Sequence, residues 1–265
     1  LNSTQTSDDD LLLALLGGQV DVIAHDEPGA RIEIHSVTSK DLRIEVTGDA
    51  LEIDHPQLRW DTFLTAFRGL GSSGAKADIS LVVPRNIAIT LGVVSASALI
   101  AGFTTDAKLN TVSGDILVDG LTGDLDVNSV NGDVQVRGLH GAFNANSVSG
   151  DIAATDTLRR ADADTVSGNV LFDSDGPISQ VNINTVNGNA TLRLPEGYPS
   201  NSVVRSVSGK IVLDGVVHSG SGTTSYTGSS GELSGQFVDV RVNTVSGDLT
   251  VLRRPTEHTG SPATD

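Results

Sequence analysis

Three evenly spaced aspartates form the most conspicuous candidate site in this chain. Asp115, Asp133 and Asp151 each follow the glycine of a recurring turn. If each interval of about 18 residues is one coil of a stacked structure, neighbouring carboxylates lie about 4.8 Å apart and repel by roughly 1 kcal/mol in water. A weakly bound divalent cation such as Ca²⁺ would relieve that repulsion. The alternative, which we favour, is that these carboxylates are solvated and accept backbone N–H bonds at the turns.

Later units interrupt this series of carboxylates, because Asn169, Asn189 and Lys210 occupy the corresponding positions. Other catalytic or metal-binding patterns are missing from the sequence. The chain has no cysteine, its six histidines lack zinc-site spacing, and no G-x-S-x-G nucleophile motif occurs. We therefore expect no enzyme, no catalytic residue and no cofactor.

One enzymatic alternative stays open as the third possibility. Some β-helix proteins cleave acidic polysaccharides with surface carboxylates or basic residues, and Asp126, Asp162 and Arg137 have the charges for such a groove. An outward strand face requires polar residues at the same positions, so their placement alone does not indicate catalysis.

A second candidate site is an aromatic cluster within the segment 54–77. Trp60, Phe63, Leu64 and Phe67 have the spacing i, i+3, i+4 and i+7, which is typical of a short amphipathic helix. Three of the nine aromatic residues of the chain lie there. Two interpretations stay open: the aromatic cluster covers one end of the protein core, or it is a hot spot that binds a protein partner or a second copy.

The charge of the chain excludes several partner classes. With 17 Lys and Arg against 33 Asp and Glu, the formal net charge is −16, so nucleic acid and anionic membrane surfaces would repel it. The apolar stretch 11–16 is shorter than the roughly 18 residues of a membrane span, so we expect no direct membrane insertion. The compartment is not fixed: the sequence as given favours the cytoplasm, and a removed signal segment would place the protein in the cell envelope or at the surface.

The aspartates belong to a six-residue phrase that occurs seven times. The copies read NTVSGD, NSVNGD, NSVSGD, DTVSGN, NTVNGN, RSVSGK and NTVSGD, with valines at 112, 130, 148, 166, 186, 207 and 245. The first four copies are equally spaced, and the next two intervals are longer by two and three positions. A nearly fixed period of this length predicts stacked structural repeats.

Each unit alternates apolar and polar residues with the period of two that a half-buried strand requires. Steps of one repeat align the apolar positions into files, for example Val112 with Val130. The sequence matches itself better at one full repeat than at half a repeat, which indicates a parallel β-solenoid rather than a meander of hairpins. An outward ladder of mutually bonded side chains is then expected at Asn110, Asn128, Asn146 and Asp164.

We therefore expect a single elongated all-β protein, a parallel β-solenoid with coils of about 18–21 residues and an irregular, strand-rich N-terminal cap. The expected divisions are a lead-in over 1–17, the cap over 18–108, the solenoid repeats over 109–253 and a disordered tail over 254–265. A Gly- and Ser-rich insertion at 215–236 interrupts the repeats as a mobile loop or loose hairpin. The cap is expected to prevent edge-to-edge growth.

Several segments together resemble a known family. They are the VSGD and VNGD phrases, GGQVDVIA at 17–24, LVVP at 81–84 and NTVSGDLTVL at 243–252. Over about residues 18–253 the chain resembles the bacterial β-strand-repeat family of Toastrack-like domains, which carries an adhesin label. The resemblance implies a solenoid used as a binding or scaffold module, and some relatives are tied to cell-envelope stress systems. It implies no catalytic motif.

The function we predict is non-enzymatic. The protein is expected to be a rigid scaffold that presents a long acidic face and the aromatic insertion to a protein partner or to a second copy, in envelope-stress or surface processes. The alternative is a surface module that binds glycan or another extracellular ligand.

Overall fold

The computed structural model describes residues 10–38, 42–47, 50–55, 76–219 and 222–254, which contain strands and turns and no helix. The strands are β1 (Asp10–His25), β2 (Arg31–Thr38), β3 (Arg43–Thr47), β4 (Ala50–Asp54), β5 (Lys76–Pro84), β6 (Ala88–Phe103), β7 (Ala107–Ser113), β8 (Ile116–Thr122), β9 (Leu125–Asn131), β10 (Val134–Ser149), β11 (Ile152–Asp156), β12 (Leu158–Ser167), β13 (Val170–Ser174), β14 (Gln180–Asn187), β15 (Ala190–Pro195), β16 (Ser200–Ser208), β17 (Ile211–Leu213), β18 (Val216–His218), β19 (Thr224–Ser230), β20 (Val238–Ser246) and β21 (Leu249–Arg254). Within these ranges no helix suited to crossing a membrane is found.

The strands stack as coils of a parallel β-solenoid, which confirms the predicted fold class. Phe143 pairs in parallel with Leu125 on one side and Ala161 on the other, each one full repeat away. The same offset joins Val134 to Ile152. Parallel pairing at one full period is incompatible with a hairpin meander, because hairpin strands pair antiparallel.

The order of coils in space departs from the order in the chain near both ends. At one end, β1 lies between β4 and β6, since Leu13 pairs with Ile53 on one side and Leu91 on the other. At the other end, β20 lies between β14 and β16, since Val242 pairs with both Ile183 and Val204. The final phrase of the sequence therefore occupies the second-last coil of the described stack.

Two of the predicted divisions contain more regular structure than the sequence suggested. The first strand begins at Asp10 and runs through the expected boundary at residue 17, and Leu11, Leu13 and Leu15 are fully buried. The insertion 215–236 contains β18 and β19, which pair antiparallel with β17 and β16. At the opposite end β2 and β3 pair antiparallel with β5 and β4. Antiparallel strands at both ends oppose the addition of another parallel coil.

The core lies inside the coils and is filled mainly by aliphatic side chains. Three phenylalanines, Phe103, Phe143 and Phe172, are the largest fully buried side chains of the described residues. The rings of Phe143 and Phe172 meet edge to face, with centroids 5.9 Å apart and an interplanar angle of 82°. The remaining inward positions are mostly Val, Ile, Leu and Ala, which suits a narrow interior.

The turn glycines allow successive coils to approach closely. Gly150 has a φ of +133°, and a Cβ built on it would lie 2.2 Å from the carbonyl oxygen of Gly132 in the preceding coil. No side chain fits at that distance, so the glycine is required both for its backbone conformation and for the contact between turns.

Candidate functional site: an amide ladder beside a file of valines

The first position of each repeat phrase forms a ladder of side chains along the solenoid. Asn128 Nδ2 donates to Asn110 Oδ1 at 3.0 Å, and Asn146 Nδ2 donates to Asn128 Oδ1 at 3.1 Å. The ladder stops between Asn146 and Asp164, because a carboxylate has no hydrogen to donate to the amide oxygen below it. This part of the prediction is confirmed for the three asparagines, and Asp164 begins a new segment.

The second segment of the ladder starts at Asp164 and follows the coils in their spatial order. Asn184 Nδ2 donates to Asp164 Oδ1 at 2.8 Å, and Asn243 Nδ2 donates to Asn184 Oδ1 at 2.9 Å. Arg205 occupies the same position of the next coil, where β16 pairs with β20. One face of the solenoid thus has a carboxylate, two amides and a guanidinium in a row.

The valines of the repeat phrases form a second file beside this ladder, and they point outward. Their relative exposures are 40% at Val130, 49% at Val148, 50% at Val166, 48% at Val186, 50% at Val207 and 48% at Val245. The sequence pattern grouped them with the apolar files of the core. The structure instead places the preceding Ser or Thr inside, for example Ser147 at 6% exposure and Thr165 at 5%.

The reversed orientation has a local cause at the corners of two coils, whereas the buried hydroxyls of Ser147, Thr165 and Thr185 have no hydrogen-bond partner among the described residues. Thr111 Oγ1 donates to the carbonyl oxygen of Gly114 at 3.3 Å, and Ser129 Oγ donates to that of Gly132 at 3.2 Å. The hydroxyl therefore pairs with a turn carbonyl on the inside of the corner. Because side chains alternate along a strand, the next residue, the valine, must face solvent.

Part of this face forms a groove of about 640 Å³. We call it the valine groove, and it is lined by Asn146, Ser147, Asp164, Thr165, Val166, Asn184, Thr185, Val186, Arg205, Val207, Thr223, Asn243, Thr244 and Val245. Among the described residues that line it, Asp164 and Arg205 alone are charged, so the formal charge of this lining is zero on a molecule of net charge −16. The groove is therefore a neutral, partly apolar strip on an acidic surface.

The two charges of the valine groove are not neutralised by each other. Three coil steps separate Asp164 from Arg205, which is about 14 Å at the usual strand spacing. Neither side chain forms an ion pair with any of the residues the structure describes. Asp164 accepts only the bond from Asn184, and Arg205 is exposed.

The aspartates proposed as a cation site belong to a different ladder, at the turns. Asp115 Oδ1 accepts the backbone N–H of Asp133 at 3.0 Å, and Asp133 Oδ1 accepts that of Asp151 at 2.8 Å. The next bond runs from the N–H of Asn169 to Asp151 Oδ1 at 2.7 Å. These are the turn bonds of the favoured interpretation. Over the described ranges, no cluster of three or more His, Cys, Asp or Glu suited to a metal ion is found.

The asparagines and the lysine that seemed to interrupt this turn ladder in fact continue it. Asn169 Oδ1 accepts the N–H of Asn189 at 3.1 Å, and Asn189 Oδ1 accepts that of Asp248 at 2.8 Å. The N–H of Lys210 then donates to Asp248 Oδ1 at 2.8 Å. An amide oxygen replaces a carboxylate oxygen here because the position needs an acceptor and not a charge.

The other candidate residues do not form one site. Asp126 accepts from Asn144 at 3.0 Å, and Asp162 accepts from Asn182 and Arg160, both at 2.5 Å. Asp126 lies on β9 and Asp162 on β12, whereas Arg137 lies on β10 and pairs in register with Asp119 of β8. The aromatic candidates Trp60, Phe63, Leu64 and Phe67 lie outside the described residues, so their role stays a prediction.

Comparison with known proteins agrees with the repeat architecture. The family model described as Toastrack DUF4097 matches residues 13–252, nearly the whole solenoid. The chain belongs to the Toastrack family. No curated protein matches this Toastrack chain.

One solved structure also matches the Toastrack chain. It is described as a "putative cell adhesion protein" from Clostridium sporogenes ATCC 15579, with 12% sequence identity, 93% of each chain covered and a TM-score of 0.27. At that TM-score the similarity supports no conclusion about the fold or the function of this chain.

Sequence reasoning missed the valine groove, although one signal for it was present. The phrase RSVSGK has arginine where the other copies have asparagine or aspartate, and the phrase DTVSGN has the single aspartate. These two departures mark the charged positions of the groove. The extent of the groove could not be predicted from the sequence, because one of the two phrases that lie between these positions in space is the distant one at 243–248.

Proposed function

We propose that this Toastrack protein is a non-enzymatic scaffold that binds a protein partner through the valine groove. The observation that carries the proposal is a neutral strip of half-exposed valines on a molecule of net charge −16. A solvated sheet face normally carries polar residues at such positions. A continuous apolar file on that face is the feature expected of a surface that a partner covers.

The rigidity of the groove favours binding. Its valines stand on strands paired on both sides, and the neighbouring asparagines are held by bonds such as that of Asn243 to Asn184. Valine has one χ angle with a strong preference, so little side-chain entropy is lost when a partner covers it. Burying apolar area contributes about 25 cal/mol per Å², which a row of valines supplies without rearrangement.

Glycan binding is the second candidate, favoured by the amides that border the valines. Amide groups hydrogen-bond sugar hydroxyls, but here Asn184 and Asn243 already use part of this capacity within the ladder. None of the described residues that line the groove is aromatic. A protein surface that needs apolar contact therefore fits the lining better than a sugar chain does.

The absence of catalysis is part of the same proposal. A catalytic pair of carboxylates needs free oxygens that face a common substrate. The turn aspartates each spend one oxygen on a backbone N–H of the next coil, as Asp133 does for Asp151. These bonds support a structural role for the carboxylates.

A matched pair of double variants tests the proposed binding surface. Val186→Ser with Val245→Ser alters the valine groove, whereas Val112→Ser with Val130→Ser alters the same file outside it. We expect the groove variant to lose the partner that is cross-linked to the wild-type protein in the cells that produce it. Equal recovery of that partner with both variants, at equal melting temperatures, would contradict the proposal.

A further inference from the structure

We propose that the valine groove binds a second copy of this chain, with the two solenoids antiparallel and related by a two-fold axis. This inference rests on the proposed function, because it names the partner of the same surface. It is argued from the order of the groove side chains in space, which is Asp164, Asn184, Asn243 and Arg205.

The geometry of face-to-face packing determines which residues meet. A two-fold axis that lies between the two faces and along the strand direction keeps each file opposite the same file and reverses the order of the coils. With the axis between the coils of Asn184 and Asn243, those two amides face each other across the interface. In the same arrangement Asp164 faces Arg205 of the second copy, and the reverse contact forms at the other end.

The valine file is complementary in this register as well. Val186 faces Val245 of the second copy, and Val166 faces Val207, so half-exposed valines cover one another in pairs. Asparagine side chains carry both donors and acceptors, and the two that meet can therefore bond across the axis. In the central four coils, each side chain of the amide ladder and of the valine file thus meets a complementary one.

Charge explains why this register is preferred to its neighbours. In the preferred register two ion pairs form from charges that have no ion-pair partner among the described residues of their own chain. An axis through the coil of Asp164 would place two aspartates opposite each other, and an axis through the coil of Arg205 would oppose two guanidinium groups. Like charges in contact at an interface are disfavoured and therefore select against those registers.

A second copy also fits the groove better than a strongly charged partner does. The lining contains one negative and one positive group, and a surface complementary to it must carry the same two charges in reverse order. The antiparallel copy has that order by symmetry. The remaining surface of both copies is acidic, so their mutual repulsion keeps the association weak and makes it stronger when salt screens the charge.

Charge reversal tests the inference on the purified protein. Sedimentation equilibrium over a range of protein concentrations measures self-association of the wild type, Asp164→Arg, Arg205→Asp and the double variant. Each single variant should weaken association about tenfold or more, because like charges then face each other, and the double variant should restore it. Asp126→Arg, which makes the same change of charge outside the groove, is the control and should associate as the wild type does.

Cysteine pairing gives a second readout that does not depend on charge. The chain has no native cysteine, so Val186→Cys and Val245→Cys can be prepared as separate single variants. Under mild oxidation a mixture of the two should form a disulfide between unlike chains, because these positions face each other across the axis. Each variant alone should form little disulfide. Dimers of Val186→Cys alone, equal to those in the mixture, would overturn the proposed register.

The outcomes separate this inference from the function on which it rests. A wild-type protein that stays monomeric at every concentration, together with no disulfide in the mixture, would overturn the binding of a second copy. The proposed function would then survive only if Val186→Ser with Val245→Ser still loses a different cross-linked protein. If that variant loses nothing either, both proposals fail.

Discussion

At the scale of single residues, the aspartates of the repeat turns act as hydrogen-bond acceptors. Asp133 stands between two equivalent turns: it accepts the N–H of Asp151 and donates its own N–H to Asp115. Asn169 and Asn189 perform the same role without a charge. The acceptor oxygen therefore stabilises the stack, and the negative charges on neighbouring coils oppose it.

Two substitutions of Asp133 separate the bond from the charge. Asp133→Ala removes the acceptor and should lower the free energy of unfolding by about 1 kcal/mol, the usual contribution of one hydrogen bond. Asp133→Asn keeps an acceptor and removes a charge between Asp115 and Asp151, so its stability should equal or exceed that of the wild type. Urea unfolding measures both. If Asp133→Asn lowered the free energy of unfolding as much as Asp133→Ala does, the charge itself would be shown to stabilise the turn.

Calcium provides an independent test of the same carboxylates. Each turn aspartate of the ladder already uses one oxygen for a backbone N–H, and successive carboxylates lie in a row rather than around a point. We expect millimolar Ca²⁺ to leave the melting temperature unchanged for the wild type and for Asp133→Asn. If Ca²⁺ instead raised the melting temperature of the wild type but not that of Asp133→Asn, a cation site at this ladder would be established.

At the scale of elements, the turns and the order of strands determine how the coils close. The turn glycines allow neighbouring backbones to touch, and β1 and β20 are each inserted between coils that lie far from them in the chain. The second-last coil is further held by Arg254 of β21, which bonds to Asp173 and Asp175. The hydrogen bond with Asp173 and the neighbouring carboxylates raise the pKa of Arg254, so its guanidinium stays charged over the whole range of ordinary pH.

Two glycine substitutions test the close approach of the turns. Gly150→Ala would place a Cβ 2.2 Å from the carbonyl oxygen of Gly132. We expect this clash to lower the free energy of unfolding by about 3 kcal/mol or more. Gly197 also has a positive φ, +70°, but a Cβ there would meet nothing within 4 Å. Gly197→Ala should therefore cost only the backbone strain, about 1 kcal/mol. Thermal unfolding that shows equal losses would disprove the steric explanation.

At the scale of the whole molecule, the solenoid is a stack of similar units in which most contacts join nearest neighbours. Such a structure tolerates the removal of a complete unit, because the remaining coils meet with the same register. It does not tolerate the removal of half a unit. After such a deletion, the first strand of every later coil would have to stack on the second strand of the coil before it, and the second strand on the first.

Two deletions of different length test this modularity. Deleting 128–145 joins Val127 to Asn146, which restores the sequence Val-Asn found at 127 and 128, and should leave a cooperatively folded β protein. Deleting 128–136 should abolish cooperative unfolding. Circular dichroism with thermal melting distinguishes them. Equal behaviour of the two deletions would contradict the solenoid register.

Much of this architecture could be predicted from the sequence, and particular residues show where prediction ended. The constant repeat length placed Asn110, Asn128 and Asn146 in one ladder because identical spacing in a parallel stack fixes which residues meet. The direction of the valines was missed, since Thr-Val and Ser-Val pairs satisfy an alternating pattern with either residue inside. At the corners of Thr111 and Ser129 a hydroxyl bond to a turn carbonyl favours the Thr or Ser inside, and that bond depends on the folded turn.

The order of the coils in space could not be predicted from the sequence either. The phrases at 110–115 and 243–248 are identical, so either fits equally well over the coil of Asn184. The insertion of β20 beside β14 is a property of the assembled stack. It also lengthens the valine groove, because Asn243 adds a second neutral position between Asp164 and Arg205.

The most direct test of the central claim, that the valine groove is the binding surface of this protein, is site-specific photo-cross-linking. A photoreactive amino acid is placed at Val186 in the groove or at Val130, a half-exposed valine of the same file outside it. We expect illumination in the producing cells to link position 186, and not position 130, to a defined protein, which mass spectrometry should identify as a second copy of this chain. Equal labelling from both positions, or no protein adduct at position 186, would contradict it.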